Sequence, residues 1–279
     1  MDYKNIKQEG SDLLLTGVRH FIPAQILDCG QCFRWRELGR ENYAGITRGR
    51  FLNIYLSGDT LIFKDTTEAE FYDIWLDYFD LRRDYGELHE IYAKDEILSE
   101  AIKYSPGLRL VKQEPWEALI SFILSQNSNI PRIKGMVARL CSSFGKALPE
   151  GGNAFPHPKD LAYLSKEDLA QVKTGYRDAY LIDAAKKVES GEINLDEIEK
   201  LPPEEASKAL KGILGVGPKV ADCVLLFGFG KTECYPSDVW VKKIMAKHYP
   251  QGFPPEIKKT AGIAQQFLFH YFRTLQAPL

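Results

Sequence analysis

The chain has 279 residues, 44% of them hydrophobic and 27% charged, which suits an ordinary globular protein with room for two domains. Lys and Arg number 36 against 38 Asp and Glu, a formal net charge of −2, so overall charge supplies no pull toward nucleic acid, although local patches and backbone amides act at short range. No apolar run reaches 18 residues, which excludes a membrane-spanning helix, and five scattered cysteines do not make a disulfide framework.

In chain order, "MDYKNIKQEGSD" lacks the apolar centre of a signal peptide, and an intracellular protein, cytoplasmic or at the nucleoid, is expected. Residues 11–65 read as strands. "DLLLTGV", "RFLNIYLSG" and "TLIFKDT" are short, rich in aliphatic and aromatic residues, and bounded by Gly, Asp and Asn. Ser57 to Thr60 form a hairpin turn between two of them, and such short links make an antiparallel sheet. Cys29 and Cys32 form a C-x-x-C pair. No second pair completes a zinc site and no thioredoxin-like context surrounds it, so both are read as ordinary thiols.

From Thr66 the period changes to a helical one. Trp116, Leu119, Ile120 and Ile123 share one helix face, as do Ile133, Met136, Val137 and Leu140. Breaks fall near Pro149 to Pro158 and at Pro202 and Pro203. Ser165, three residues ahead of Asp168, resembles a helix N-cap. The fold class is therefore α+β. Residues 1–92 form a small antiparallel domain and residues 93–279 a mainly helical one, against which the first segment can pack.

In "LKGILGVGPKVADCVLLF" (210–227), Gly215 and Gly217 flank Val216, free to adopt positive φ and to expose backbone N–H groups. Pro218 suits the first position of a helix. Amides plus a helix N-terminus hold an anion such as a DNA phosphate without any cationic side chain. Two such glycines also occur as a plain helix end and turn. Lys219 opens a helix that is apolar on nearly all faces, where poor hydration and the helix dipole both disfavour an ammonium and expose a nucleophilic amine lone pair. Snorkelling to solvent is the bland alternative. Asp238, after Pro236 and Ser237, reads as an N-cap whose charge can also stabilise a cationic transition state at a cleft. Amine, carboxylate and phosphate site together suggest chemistry at a sugar C1′.

"GVGPKVADC" and "PSDVW" resemble the helix–hairpin–helix DNA glycosylase superfamily with its Gly/Pro–Asp loop. Within it the chain is similar to the 8-oxoguanine DNA glycosylases. "GQCFRWRE" (30–37), "SQNSNIPRIKGMVARLCSSFG" (125–145), "GYRDAY" (175–180) and "AGIAQQFLF" (261–269) resemble further family segments in order, over nearly the whole chain. The resemblance implies a TATA-binding-protein-like sheet domain ahead of the helical one. It also implies a monomeric base-excision enzyme acting on double-stranded DNA that contains oxidised guanine.

By this likeness Lys219 is the nucleophile that displaces the base, forms a Schiff base and permits β-elimination, while Asp238 stabilises charge at the sugar. No cofactor is required, although hairpin carbonyls hold a cation in such families. Base extrusion precedes chemistry. Gly30, Cys223, Gln265 and Phe269 would line the base pocket, with the Gly30 carbonyl accepting from the N7–H that only the oxidised base carries. Gly215, Val216 and Gly217 would grip a phosphate. Asn127, Arg132 and Arg177 would face the orphaned partner base, with cytosine preferred, and Tyr176 would wedge into the gap. Each has a bland reading as cap, solvated charge or core. Trp240 stands where better-known members carry His, next to the catalytic loop, and would form a pocket wall. Ser128 and Gln126 also depart from the family's Asn-rich run. Alternatives are removal of alkylated purines, which Trp240 would suit, a non-catalytic DNA-binding protein, and a Schiff-base enzyme on small carbonyls.

Overall fold

The computed structural model describes residues 1–275. Six strands form one antiparallel sheet: β1 (Asn5–Glu9), β2 (Asp12–Thr16), β3 (Trp35–Gly39), β4 (Asn42–Thr47), β5 (Arg50–Ser57) and β6 (Thr60–Phe63), ordered β1-β2-β6-β5-β4-β3. Between β2 and β3 lies α1 (Pro23–Leu27). Period-two alternation turns Leu13, Leu15, Leu61 and Phe63 to one face, and the register sets Leu13 opposite Phe63 and Leu15 opposite Leu61. That face is covered by a helical stretch of α2 (Glu68–Glu70), a π turn at Phe71–Trp75 and α3 (Leu76–Tyr78), which contribute Phe71, Trp75 and Tyr78 to the sheet-side core. Aromatic rings there meet edge to face, as Phe63 and Phe71 do with centroids 5.3 Å apart.

Helices account for most of the rest. They are α4 (Tyr85–Tyr92), α5 (Glu96–Tyr104), α6 (Pro115–Leu124), α7 (Ile130–Phe144), α8 (Pro158–Leu161), α9 (Asp178–Glu189), α10 (Leu195–Lys200), α11 (Pro203–Leu210), α12 (Pro218–Phe227), α13 (Val239–His248) and α14 (Ala261–Leu275). Their apolar faces meet in a second core in which α6 and α12 lie side by side, and Phe122 stacks on Phe227 at 5.3 Å. None of the described helices is long and apolar enough to cross a membrane.

Three strands go beyond the sequence-based expectation. β1 is an edge strand of mostly exposed polar residues, and β3 is exposed after Trp35, so neither carries an apolar alternation to read. β4 is nearly buried on both faces. Ser165 and Asp168 do bond reciprocally, at 2.8 and 3.2 Å, but a turn and a 3-10 helix at Ala170–Val172 follow rather than an α-helix.

The two cores interlock. Cys29 and Phe33 of the sheet-side segment join the helical core, and Val111 joins the sheet-side core. Buried Gln31 is the fastener. Its amide donates to the Ile26 carbonyl at 2.9 Å and the Arg109 carbonyl at 2.7 Å, its Oε1 accepts from Val111 N–H, and its own carbonyl accepts from Gln113. Arg109, fully buried, pairs with buried Asp2 at 2.6 Å and donates to the carbonyls of Phe79, Asp80 and Arg83. Arg34 and Glu117 make another buried contact across the junction, at 3.5 Å.

Candidate active site

α11, the turn after it and α12 form a helix–hairpin–helix. Gly215 has a φ of +78°, and an added Cβ would lie 2.4 Å from the Tyr180 ring, so glycine is required by both backbone and space. Gly217 differs from expectation. Its φ is −96°, extended backbone, and glycine there leaves the front of the turn open, with nothing within 4 Å of an added Cβ. Among the described residues the Gly215 and Gly217 N–H groups have no protein acceptor, whereas Leu214 N–H already donates to Asp183 at 2.7 Å. Two free amides therefore stand before the N-terminus of α12, which is the arrangement an anion needs.

Pro218 fills the first position of α12 and Lys219 the second. The following residues from Val220 to Phe227 bury all but Asp222, so the helix is fixed by the core and only its start is open. Lys219 is half-buried. Its Nζ donates to Ser125 Oγ at 3.2 Å and stands 5.4 Å from the Phe122 ring centre. Asp238 caps α13, its Oδ1 accepting from Val241 N–H at 2.8 Å, and its φ and ψ are extended as a cap requires. Both side chains open onto one cleft of about 910 Å³, which Ser125 to Pro131, Gly30, Trp240, Lys242, Phe269 and Arg273 also line.

A smaller recess of about 60 Å³ lies deeper, between Gly30, Lys219, Cys223, Asp238, Gln265 and Phe269. The sheet-side segment supplies Gly30, α12 supplies Cys223, and α14 supplies Gln265 and Phe269. Gly30 has a φ of +92°, and a Cβ there would come within 2.8 Å of Ile130 Cδ1 and 3.3 Å of Arg273 Nη1. Cys223 is buried, and burial pushes its thiol up to about 11 against the opposing pull of Lys219, so it presents a neutral sulfur surface. Gln265 is 4% exposed and among the described residues its Oε1 has no hydrogen-bond partner. A buried amide oxygen without a donor costs on the order of 1–3 kcal/mol unless a ligand supplies one.

Trp240 stands 43% exposed on the wider cleft and outside the recess. Arg177 is fully buried and its guanidinium is spent on the carbonyls of Thr174, Gln126 and Asn127, so neither a solvated charge nor a free reader of bases describes it in this conformation. Tyr176 is 56% exposed, with the Arg177 guanidinium 4.5 Å over its ring. Asn127 lies at the bend after α6 with a φ of +46°, and Arg132 is exposed in the first turn of α7, where its backbone N–H is capped by Asn129. Sequence reasoning passed over Ser125, Gln31 and Arg273. Ser125 opened a quoted segment and Gln31 followed Gly30, but their roles depend on contacts 94 and up to 82 residues away in sequence.

A six-stranded sheet locked to a helical domain, with hairpin, lysine and capping aspartate on one cleft, defines a class. The chain belongs to the HhH-GPD superfamily of base excision DNA repair proteins, whose family model matches residues 120–265. Residues 13–119 match the N-terminal domain of 8-oxoguanine DNA glycosylase, which narrows the class to that branch. The structure of MBOgg1 in complex with a low-affinity DNA ligand is 41% identical with a TM-score of 0.92, covering 99% of this chain and 100% of that one. That of Clostridium acetobutylicum 8-oxoguanine glycosylase/lyase, in complex with double-stranded DNA containing cytosine opposite 8-oxoG, is 35% identical with a TM-score of 0.93 over 99% of this chain and 100% of that one. The Saccharomyces cerevisiae N-glycosylase/DNA lyase is 37% identical over 163 residues, 53% of this chain and 43% of that protein. The chain spans less than two thirds of the length of three curated N-glycosylase/DNA lyase relatives it matches: 43%, 62% and 64%.

Proposed function

We propose that this protein is a bifunctional DNA glycosylase and abasic-site lyase that removes 8-oxoguanine from duplex DNA. The observation that carries the reading is the convergence of the Lys219 amine, the Asp238 carboxylate and the unpartnered Gln265 oxygen on one recess. The duplex docks with a phosphate on the Gly215 and Gly217 amides and with the lesion turned out of the stack. Gln265 takes donors from the base's Watson–Crick edge, and the Gly30 carbonyl takes the N7–H that undamaged guanine lacks. Phe269 stacks on one face of the base and Cys223 on the other. The recess of about 60 Å³ has to widen for this, and Phe269, partly exposed in the middle of α14, is the wall it shares with the wider cleft.

Chemistry then proceeds at C1′. The Lys219 amine attacks as the C1′–N9 bond breaks; the base leaves with the bonding electrons and takes up the proton the amine sheds. Asp238 stabilises the positive charge that develops on the sugar. The nitrogen lone pair then breaks the C1′–O4′ bond, O4′ taking a proton from water, to give the Schiff base; water or the released base removes a C2′ proton, the C2′=C3′ double bond forms, and the C3′–O bond breaks to expel the 3′ phosphate. Cytosine opposite the lesion fits donation from Arg132 and Arg177, the second of which must first leave the Gln126 carbonyl. The decisive test is borohydride trapping on an 8-oxoguanine duplex. A covalent adduct with wild type, lost in Lys219→Gln, supports the mechanism; excision by wild type without trapping removes Lys219 from it. Opposite-base preference is read by comparing all four partners of the lesion.

A further inference from the structure

We infer that Arg273 is a ligand for a phosphate flanking the extruded nucleotide, a role that rests on the proposed use of the cleft. Three cationic side chains line that cleft, Lys219, Lys242 and Arg273, and among the described residues none of them makes an ion pair. Lys219 is committed to Ser125 and to the recess. Arg273 is exposed on the last turns of α14, and among the described residues no hydrogen bond to a protein acceptor occupies its guanidinium. It is nevertheless placed. Its Cζ lies 5.7 Å over the ring of Phe269, a partly exposed wall of the recess, and its Nη1 lies 3.3 Å from where a Gly30 Cβ would stand.

The guanidinium thus marks the lip between the sheet-side and α14 sides of the recess. A base passing this lip goes inward, past Phe269. The sugar and its phosphates stay outside, where the exposed guanidinium is. A planar fork of donors matches a phosphate and gains most there, because charge-assisted bonds exceed what a neutral base carbonyl offers. The site also answers a need of the whole chain. With a net charge of −2, strand binding must come from a few cations concentrated where the backbone runs.

The test is the salt dependence of binding to a duplex holding a tetrahydrofuran abasic analogue, which lacks a base and undergoes no chemistry. For each phosphate contact removed, the slope of log K against log salt falls in magnitude by about 0.9. Arg273→Ala should lose that amount on the abasic duplex and on an 8-oxoguanine duplex alike, and Arg273→Lys should keep it. An unchanged slope in Arg273→Ala overturns the inference. So does a loss confined to the 8-oxoguanine duplex, which would make Arg273 a contact to the base. Failure of wild type to excise 8-oxoguanine would count against the proposed activity alone, since the slope is measured without catalysis.

Discussion

In the proposed reading, Gln265 and Gly30 carry selection by opposite means, one through a side-chain oxygen and one through main-chain shape. Truncating Gln265 to Ala leaves donors of the bound base without a buried partner, a loss of about 1–3 kcal/mol. Measured in a Lys219→Gln background to prevent turnover, affinity for an 8-oxoguanine duplex should fall on the order of tenfold to a hundredfold, with affinity for undamaged duplex unchanged. Gly30→Ala acts differently. The new Cβ meets Ile130 at 2.8 Å in a backbone conformation that side chains resist, so it narrows the mouth of the recess. Excision of the base should drop while cleavage of a preformed abasic site, which brings no base to the recess, is retained. Equal losses in both assays would mean the substitution disturbs the cleft as a whole.

Elements decide where those residues stand. Asp238 is at once the cap of α13 and a member of the cleft, and two substitutions separate these duties. Asn can still accept from Val241 N–H, so Asp238→Asn should keep its melting temperature and lose turnover; Asp238→Ala should lose turnover and also about 1 kcal/mol of stability. At the hairpin, Gly215→Ala sets a Cβ against Tyr180, and affinity for undamaged duplex should fall with it in a fluorescence-anisotropy titration. Much at this scale was legible in the sequence, because the signals are local. The Gly-Val-Gly-Pro run, the lysine after it and the Pro-Ser-Asp cap need only their neighbours to be understood. β1 and β3 were not legible, since an exposed polar edge strand lacks apolar alternation and is held by its pairing partner alone. Arg177 was not legible either. Its burial depends on the carbonyls of Gln126 and Asn127, 51 and 50 residues away.

Across the whole molecule, the junction between the two cores holds charges that the catalytic scheme does not use. Glu117 is buried beside Arg34, and burial pushes its carboxyl up to about 7 while the guanidinium pulls the other way. A carboxyl raised on folding binds its proton more tightly in the native state, so native stability declines as pH rises from the ordinary carboxylate range to about 7. Glu117→Gln removes that titration. The difference in melting temperature between wild type and Glu117→Gln should therefore shift between pH 5 and pH 8, with wild type losing ground at the higher pH; a constant difference would show that Glu117 does not titrate there. The buried glutamine at position 31 has a longer reach. It ties the turn bearing Gly30 to the segment at 109–113, while the amine and carboxylate proposed to break the bond stand on helices of the other unit. In the proposed scheme the turn thus reads one edge of the lesion, while the reactive pair and the rest of the base pocket, Cys223, Gln265 and Phe269, belong to the helical unit. The turn can be redrafted for a different lesion without disturbing the reactive pair, provided the glutamine clasp beneath it survives.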